Sequence, residues 1–493
     1  MSLKGFPLYI YIIGIMLTMV CSCDDYDSWT ADPQAHLTFS RDVVSFDTII
    51  TTVSSSTQRL LVYNGNDNGL RINEVRLKHA GYSPFRVNVD GQFLQDGWGT
   101  DFEVRRNDSI FVLVEVTLPD GNADTVTTHT DSLCFRLESG EVQYVTLMAG
   151  GRDAIHWHGI KVIEQDTVLP NRKPIIVYDS LYVSSGATLT VSAGTQLYFH
   201  QHASMRVDGT LTVNGTLEQP VVFRGDRTGN LFDYLPYDNT PQQWGGVYLN
   251  GHGHKLTYLD LHSSTFGIIA EDTDIELANC ILHNTGGNAL WTRNCSVRAY
   301  NTQISNAYGN LFQMIGGQAD MTFCTLAQFY NYDAVRGWAL SLSDYDVEYG
   351  DTMYYDIAHA SFINCVITGY GEDVISGNFL KESKYQDSAR YYFQNCFLNT
   401  VYSDDSNVRF VRNIYVNPED TMHYGPQFAL FDTYARLYDF TPSNQACFRN
   451  NADASLVKEY PLDRLGRSRE ADGHADIGAY ENVQHINNGE EKK

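Results

Sequence analysis

Between residues 181 and 223 apolar side chains alternate with small or polar ones in short bursts. Leu189-Thr190-Val191 recurs 22 residues later as Leu211-Thr212-Val213. Leu197 with Phe199, Met205 with Val207, and Val221 with Phe223 repeat the same two-residue spacing. Residues two apart in a strand share a face, so the pattern predicts short strands with one side buried. Gly186, Gly194, Gly209 and Gly215 fall between the bursts, where the backbone must turn sharply. Short strands recurring at a fixed interval predict a solenoid, in which each coil covers the apolar face of the next.

A second register continues the first. Leu259 and Leu261 match Cys280 and Leu282, then Thr302 and Ile304, then Cys324 and Leu326, at spacings of 21, 22 and 22. Cys365 with Ile367 and Cys396 with Leu398 extend it across gaps of 41 and 31 residues. The first gap, read as nearly two coils, holds the polar insert 341–356, and the second holds 381–389. Insertions in a solenoid go to loops, and loops carry recognition. Asn279, Asn364 and Asn395 each stand just before a cysteine of the series. Stacking places neighbours in this file about 4.8 Å apart, so the cysteines are expected to pack rather than bond.

Upstream the period is absent. Strands are expected at 43–50, 58–63, 70–77, 85–89, 110–118, 132–137 and 142–148. Turn signals such as Asn64-Gly65-Asn66-Asp67 separate them. About seven strands in this length predict a β-sandwich. The order Phe46-Asp47-Thr48, Val62-Tyr63-Asn64, Leu70-Arg71-Ile72 and Phe85-Arg86-Val87 resembles the Ig-like domains of the abnormal-spindle and Hydin proteins. That resemblance implies a spacer or adhesion module. The file of Cys or Thr paired with Ile or Leu resembles the right-handed parallel β-helix, or pectin-lyase-like, family. The family implies a fold but no single function, since it serves lyases, hydrolases, adhesins and stalks. Asp463-Arg464-Leu465-Gly466-Arg467-Ser468-Arg469 and Asp476-Ile477-Gly478-Ala479-Tyr480-Glu481 resemble a C-terminal signature of secreted bacterial β-helix proteins. Its expected work is to cap the last coil against edge pairing. The fold expected is therefore all-β, a right-handed parallel β-helix solenoid preceded by an Ig-like β-sandwich. The expected parts are a signal peptide (1–22), an acidic tether (23–36), the sandwich (37–151), the β-helix (152–408), terminal coils and cap (409–482) and a polar tail (483–493).

Composition narrows the partners. Lys plus Arg number 34 against 59 Asp plus Glu, a formal net charge of −25. Such a surface repels nucleic acid and favours neutral or cationic partners or divalent cations. Lys4 and the apolar run 9–20 read as a signal peptide too short to span a bilayer. The run ends Val20-Cys21-Ser22-Cys23 and resembles a bacterial lipoprotein box, with Cys23 as the acylated residue. Asp24-Asp25-Tyr26-Asp27 resembles the surface-export tag of Bacteroidetes lipoproteins. Together they imply a lipid-anchored protein of the outer membrane, displayed at the cell surface.

Candidate chemistry concentrates near the insert. Asp333, Arg336, Tyr345, Asp346, Tyr349, Tyr354 and Tyr355 combine carboxylates with aromatic rings, as a sugar-binding groove does. No cofactor or metal is expected, Ca²⁺ being the one the carboxylates would suit; a solvated acidic loop is the plainer alternative. A glycosidase needs two carboxylates at a defined separation. Asp333, Asp344, Asp346, Glu372 and Asp373 are candidates, and no spacing singles out a pair. A lyase base would be Arg336, Lys381 or Lys384. Three His-x-His pairs, His156/His158, His200/His202 and His252/His254, each offer two nitrogens on one strand face but lack a third ligand. No Cys-x-x-Cys pair marks a zinc site. Three functions remain open: a glycan or host-ligand binder, a polysaccharide lyase or glycoside hydrolase, and a structural envelope component.

Overall fold

The computed structural model describes residues 28–232, 234–380, 390–401, 408–416 and 427–483. Cys23 and its preceding apolar run, Lys381 and Lys384 lie outside the described residues. Among the described residues no helix is long and apolar enough to cross a membrane. The chain forms two compact units. One takes in the described parts of Met1–Asp47, Thr57–Thr117 and Thr128–Gly150; the other takes in those of Thr48–Ser56, Leu118–Thr127 and Gly151–Lys493.

The first unit is a sandwich of two five-stranded sheets. One sheet runs Thr38–Phe39, Gln58–Asn64, Asp108–Val116, Phe85–Val89, Gln92–Phe93. The other runs Val43–Ile50, Val142–Arg152, Thr127–Leu137, Leu70–Leu77, Trp98–Val104. Alternate residues, such as Leu60 and Val62 or Leu133 and Phe135, are buried. Three of the seven expected strands have the predicted bounds. Trp98–Val104 was not foreseen, because Gly99 occupies one of its few inward positions and blurs the alternation.

The second unit is a parallel β-helix. Eleven parallel strands, from Ile155–Trp157 to Ile414–Tyr415, form one wall. A seventeen-stranded sheet supplies the other two walls, and Leu290–Tyr300 and Phe312–Thr322 run through both of these. In-register pairing carries the period: Leu261 pairs with Leu282, Leu282 with Ile304, Ile304 with Leu326, Leu326 with Ile367, and Ile367 with Leu398. Thr325–Gln328 pairs directly with Val366–Gly369. The 41-residue gap is thus a single coil with excursions, not two coils.

Cys280, Thr302, Cys324, Cys365 and Cys396 are fully buried, and the cysteines are free thiols. The choice of Cys or Thr has a cause beyond size. The Cys280 thiol donates to the Leu256 and Ala278 carbonyls, and the Thr302 hydroxyl to those of Leu277 and Tyr300. Cys365 and Cys396 likewise donate to Met321 and Phe362. Each side chain supplies a small donor to carbonyls at a coil corner, and two of these, Ala278 and Tyr300, also accept a backbone N–H. Burial pushes the Cys280 thiol up to about 12, so it stays protonated. The asparagines preceding them, Asn279, Asn301, Asn364 and Asn395, all have φ between 48° and 56°. Asparagine tolerates this left-handed corner better than other residues with a Cβ.

The C-terminal segment departs from expectation. Residues 427–483 lie along the outer flank of the eleven-stranded wall instead of closing its end as a cap. Over its later coils that wall is apolar outside as well as inside: Ala327, Phe329, Val366 and Phe397 cluster with Phe428, Phe440, Phe448, Ile477 and Tyr480 of the segment. The corner asparagines hold it as a strap. Asn364 exchanges bonds with both the N–H and the carbonyl of Asp453, and Asn301 binds the Leu462 carbonyl and Arg469.

Candidate functional site

A β-hairpin of Tyr345–Glu348 and Asp351–Tyr354, with Tyr345 opposite Tyr354, projects from one corner of the helix. It leaves the wall strand Leu340–Ser343 and returns into Ile357–Ile363. The first residues of the expected insert therefore belong to a coil. Arg293, two coils before Ser343 in the register, fixes the hairpin. It bonds Glu271 at 2.9 Å and Asp346 at 3.4 Å, pairs with Glu348, and lies 5.5 Å over the Tyr355 ring. Gly316 and Gly317 have φ of +65° and +81°, and a Cβ on them would collide with Tyr355 and with the Cys295 carbonyl. The glycines let the returning strand sit close, and the Gly317 N–H bonds the Asp356 carbonyl at 2.9 Å.

Beneath the hairpin root lies an open groove of about 580 Å³. Tyr354, Tyr355 and Asp356 line it together with Asp272, Asp274, Asn294, Ser296 and Gln318. Asp274, Ser296, Gln318 and His359 are register partners on four successive coils, so their outward side chains form a regular polar row. Several are already oriented: Asn294 donates to Asp272 at 2.6 Å, Gln318 to Ser296 at 2.9 Å, and His252 stands 3.3 Å from Asp274.

The expected binding residues divide between two places. Tyr354 and Tyr355 line the groove, Tyr345 and Asp346 build the hairpin above it, and Tyr349 is fully exposed at its tip. Asp333 and Arg336 are not in the groove. They sit on the loop after Thr325–Gln328, where Asp333 accepts the Val335 N–H and Arg336 lies 4.8 Å over Tyr370. Among the catalytic candidates, Asp344 is buried and paired with Arg390 at 2.8 Å, a structural role. Glu372 and Asp373 also lie outside the groove, Asp373 accepting the Ile375 N–H. Asp272 and Asp274 were missed, because outward residues at a coil corner carry no apolar period to mark them.

The His-x-His pairs have separate fates. His158 stacks on Tyr178 at 4.2 Å, and His200 pairs with Asp226 at 2.6 Å. His254 is not at the surface but in an interior file, where its Nδ1 accepts the Leu211 N–H at 3.1 Å. Burial lowers its pKa from 6.5 to about 4, against the opposing pull of Asp274. His252 alongside adds to the lowering. The unfolded chain therefore takes up this proton near pH 6.5 and the folded protein only near pH 4. Stability is expected to fall as pH drops through that window, by at most about 3 kcal/mol, and to level off below it. His254→Asn keeps an acceptor without titrating. Denaturant midpoints of the two proteins should converge as the pH is lowered from 6.5 to 4.

Among the described residues one group of three His, Cys, Asp or Glu side chains gathers its ligand atoms within 4.8 Å: Asp260, His262 and His283. It lies on the outer face of the eleven-stranded wall. Burial works against charge on His262, but Asp260 and Asp238 outweigh it and raise the imidazole to about 9. The sequence carried a signal here: His262 and His283 directly follow the matched pair Leu261 and Leu282, one coil apart.

Strand pairing thus defines a parallel β-helix protein with an N-terminal β-sandwich and a corner groove. No family model matches the chain, and no curated protein matches its sequence. Among the solved structures that resemble the chain, three illustrate how weak the likeness is. A family 123 glycoside hydrolase from Clostridium perfringens, studied for glycolipid glycan hydrolysis, shares 5% identity, with 24% of this chain and 25% of that chain covered and a TM-score of 0.17. A PapD-like domain of human CEP192 shares 12%, with 25% and 89% covered, at 0.17. The catalytic unit of a GH87 α-1,3-glucanase from Streptomyces thermodiastaticus shares 10%, with 73% and 90% covered, at 0.19. Likeness at this level carries no argument about function.

Proposed function

We propose that this chain is a surface lipoprotein that binds a neutral glycan in the groove under the Tyr345–Tyr354 hairpin. One observation carries the reading: two tyrosines and a set of carboxylate, amide and hydroxyl groups line the same open groove of about 580 Å³. Aromatic faces stack on the apolar faces of sugar rings, while carboxylates and amides bind hydroxyls. A row with one polar group per coil suits a linear polymer. The acidic lining and the net charge of −25 disfavour polyuronates. Binding of the full chain to a panel of neutral and acidic polysaccharides tests this; retention only of acidic polymers, or of none, would refute it.

The groove's own carboxylates, Asp272, Asp274 and Asp356, favour a second reading, hydrolysis of the bound glycan. Release of reducing ends from the retained polysaccharides separates the two. The anchor rests on the apolar run before Cys23 and the acidic cluster after it. Metabolic labelling with an alkyne fatty acid should mark the protein, and Cys23→Ser should abolish the label. Undiminished labelling of Cys23→Ser would refute the assignment of that residue.

A further inference from the structure

We propose that Asp260, His262 and His283 form a binding site for a divalent transition metal of the zinc class. Asp260 and His262 are two apart on Leu259–His262 and so share its outer face. His283 is the register partner of His262 on the next coil. His262 Nδ1 stands 2.9 Å from Asp260 Oδ1, and His283 Nε2 stands 3.3 Å from the same oxygen. Metal–ligand bonds of about 2.0–2.2 Å in a tetrahedron place donor atoms roughly 3.3 Å apart, close to this spacing. Two imidazoles with one carboxylate are a donor set that zinc takes in three-ligand sites, leaving one position for water or a ligand.

The far side of the His262 ring is supported as a metal-bound imidazole requires. His262 Nε2 faces Asp238 at 3.7 Å, and Arg224 fixes Asp238 at 2.5 Å. On the far side of His283, Nδ1 accepts from Asn284 Nδ2 at 2.9 Å, and a metal at Nε2, which leaves Nδ1 protonated, would have to displace that bond. The short helical turn bearing Asp238 is pinned in place, since Ser263 Oγ and Asn284 Nδ2 both donate to its carbonyl. Access exists: His262 is nearly buried, but about a fifth of His283 remains exposed. His283 also borders a pocket of about 360 Å³ shared with Arg436, Tyr438 and Arg464. Nothing in the glycan reading uses these residues, which lie on a different wall from the groove.

The test is titration of chelator-treated full chain with zinc chloride, read by calorimetry and by zinc X-ray absorption. The expected result is one site per chain, with nitrogen and oxygen ligands and no sulfur. His283→Gln, at the more exposed ligand, should retain the wild-type circular dichroism spectrum and weaken binding at least about 100-fold, because it removes a direct ligand where supporting groups alone contribute 10–100-fold. Asp238→Asn, which touches only the support, should weaken it about 10-fold. Zinc that fails to saturate, binds through sulfur, or binds wild type and a folded His283→Gln equally would overturn the proposal. The trio would then be an ion-paired cluster and no more.

Discussion

Replacing Arg469 with Met is expected to release the C-terminal strap and lower stability by about 3–5 kcal/mol, the range for leaving a buried charge unpaired. Arg469 is wholly buried. It bonds Glu481 at 2.6 Å, Asn301 at 2.8 Å and the Gly478 carbonyl at 3.2 Å, and lies 3.7 Å over Phe323. Around it Asp463 accepts the N–H groups of Leu465, Arg467 and Glu481, and Asp476 accepts those of Asn450 and Asn482. The resemblance at residues 463–481 thus marks a knot of charge-assisted hydrogen bonds, and Arg469 is its central cation. Met fills the volume but leaves Glu481 buried without its partner. Lys should not rescue, because one ammonium cannot reproduce the guanidinium fork. Limited proteolysis should cut within 427–483 in the variant and not in wild type. An unchanged cleavage pattern and unfolding midpoint would contradict the strap.

The second large effect is on binding. Tyr354→Ala with Tyr355→Ala is expected to weaken glycan affinity about 30-fold or more, since two aromatic contacts of about 1 kcal/mol or more each are lost. Tyr354 is nearly half exposed, so its ring face can meet a sugar in the groove. Tyr355 is held under Arg293, so its loss also loosens the hairpin. Tyr349→Ala should change affinity less than about 3-fold, because a fully exposed tip residue makes no groove contact. Isothermal titration with the best polysaccharide from the panel measures all three. Equal loss in Tyr349→Ala would point to the hairpin tip instead.

What could be read in the sequence follows from which side chains feel a neighbouring coil. Leu261, Leu282, Ile304 and Leu326 repeat because each must cover the next, so the register was visible without coordinates. The 41-residue gap misled for a physical reason. Coil length is set only by the strands, and the loop at 329–339 and the hairpin add residues without adding a coil. Asp333 and Arg336 were grouped with the tyrosines by nearness in sequence, but a wall strand intervenes and sends the two loops to different corners. Asp238 was invisible, because the excursion at 226–245 has no period. The strap was recognised as structural, but its position was not. Its location follows from outward apolar residues such as Val366 and Phe397, which the inward pattern masks.

The central claim is that stacked coils and the hairpin make one sugar-binding groove. Hydroxyl-radical footprinting of the full chain, with and without a saturating neutral oligosaccharide, tests it most directly. Protection is expected at Tyr354 and Tyr355, with Tyr82 and Tyr349, both almost fully exposed, left unchanged. Protection confined to other aromatics, such as Tyr332 and Tyr370 beside the Asp333 loop, would contradict it.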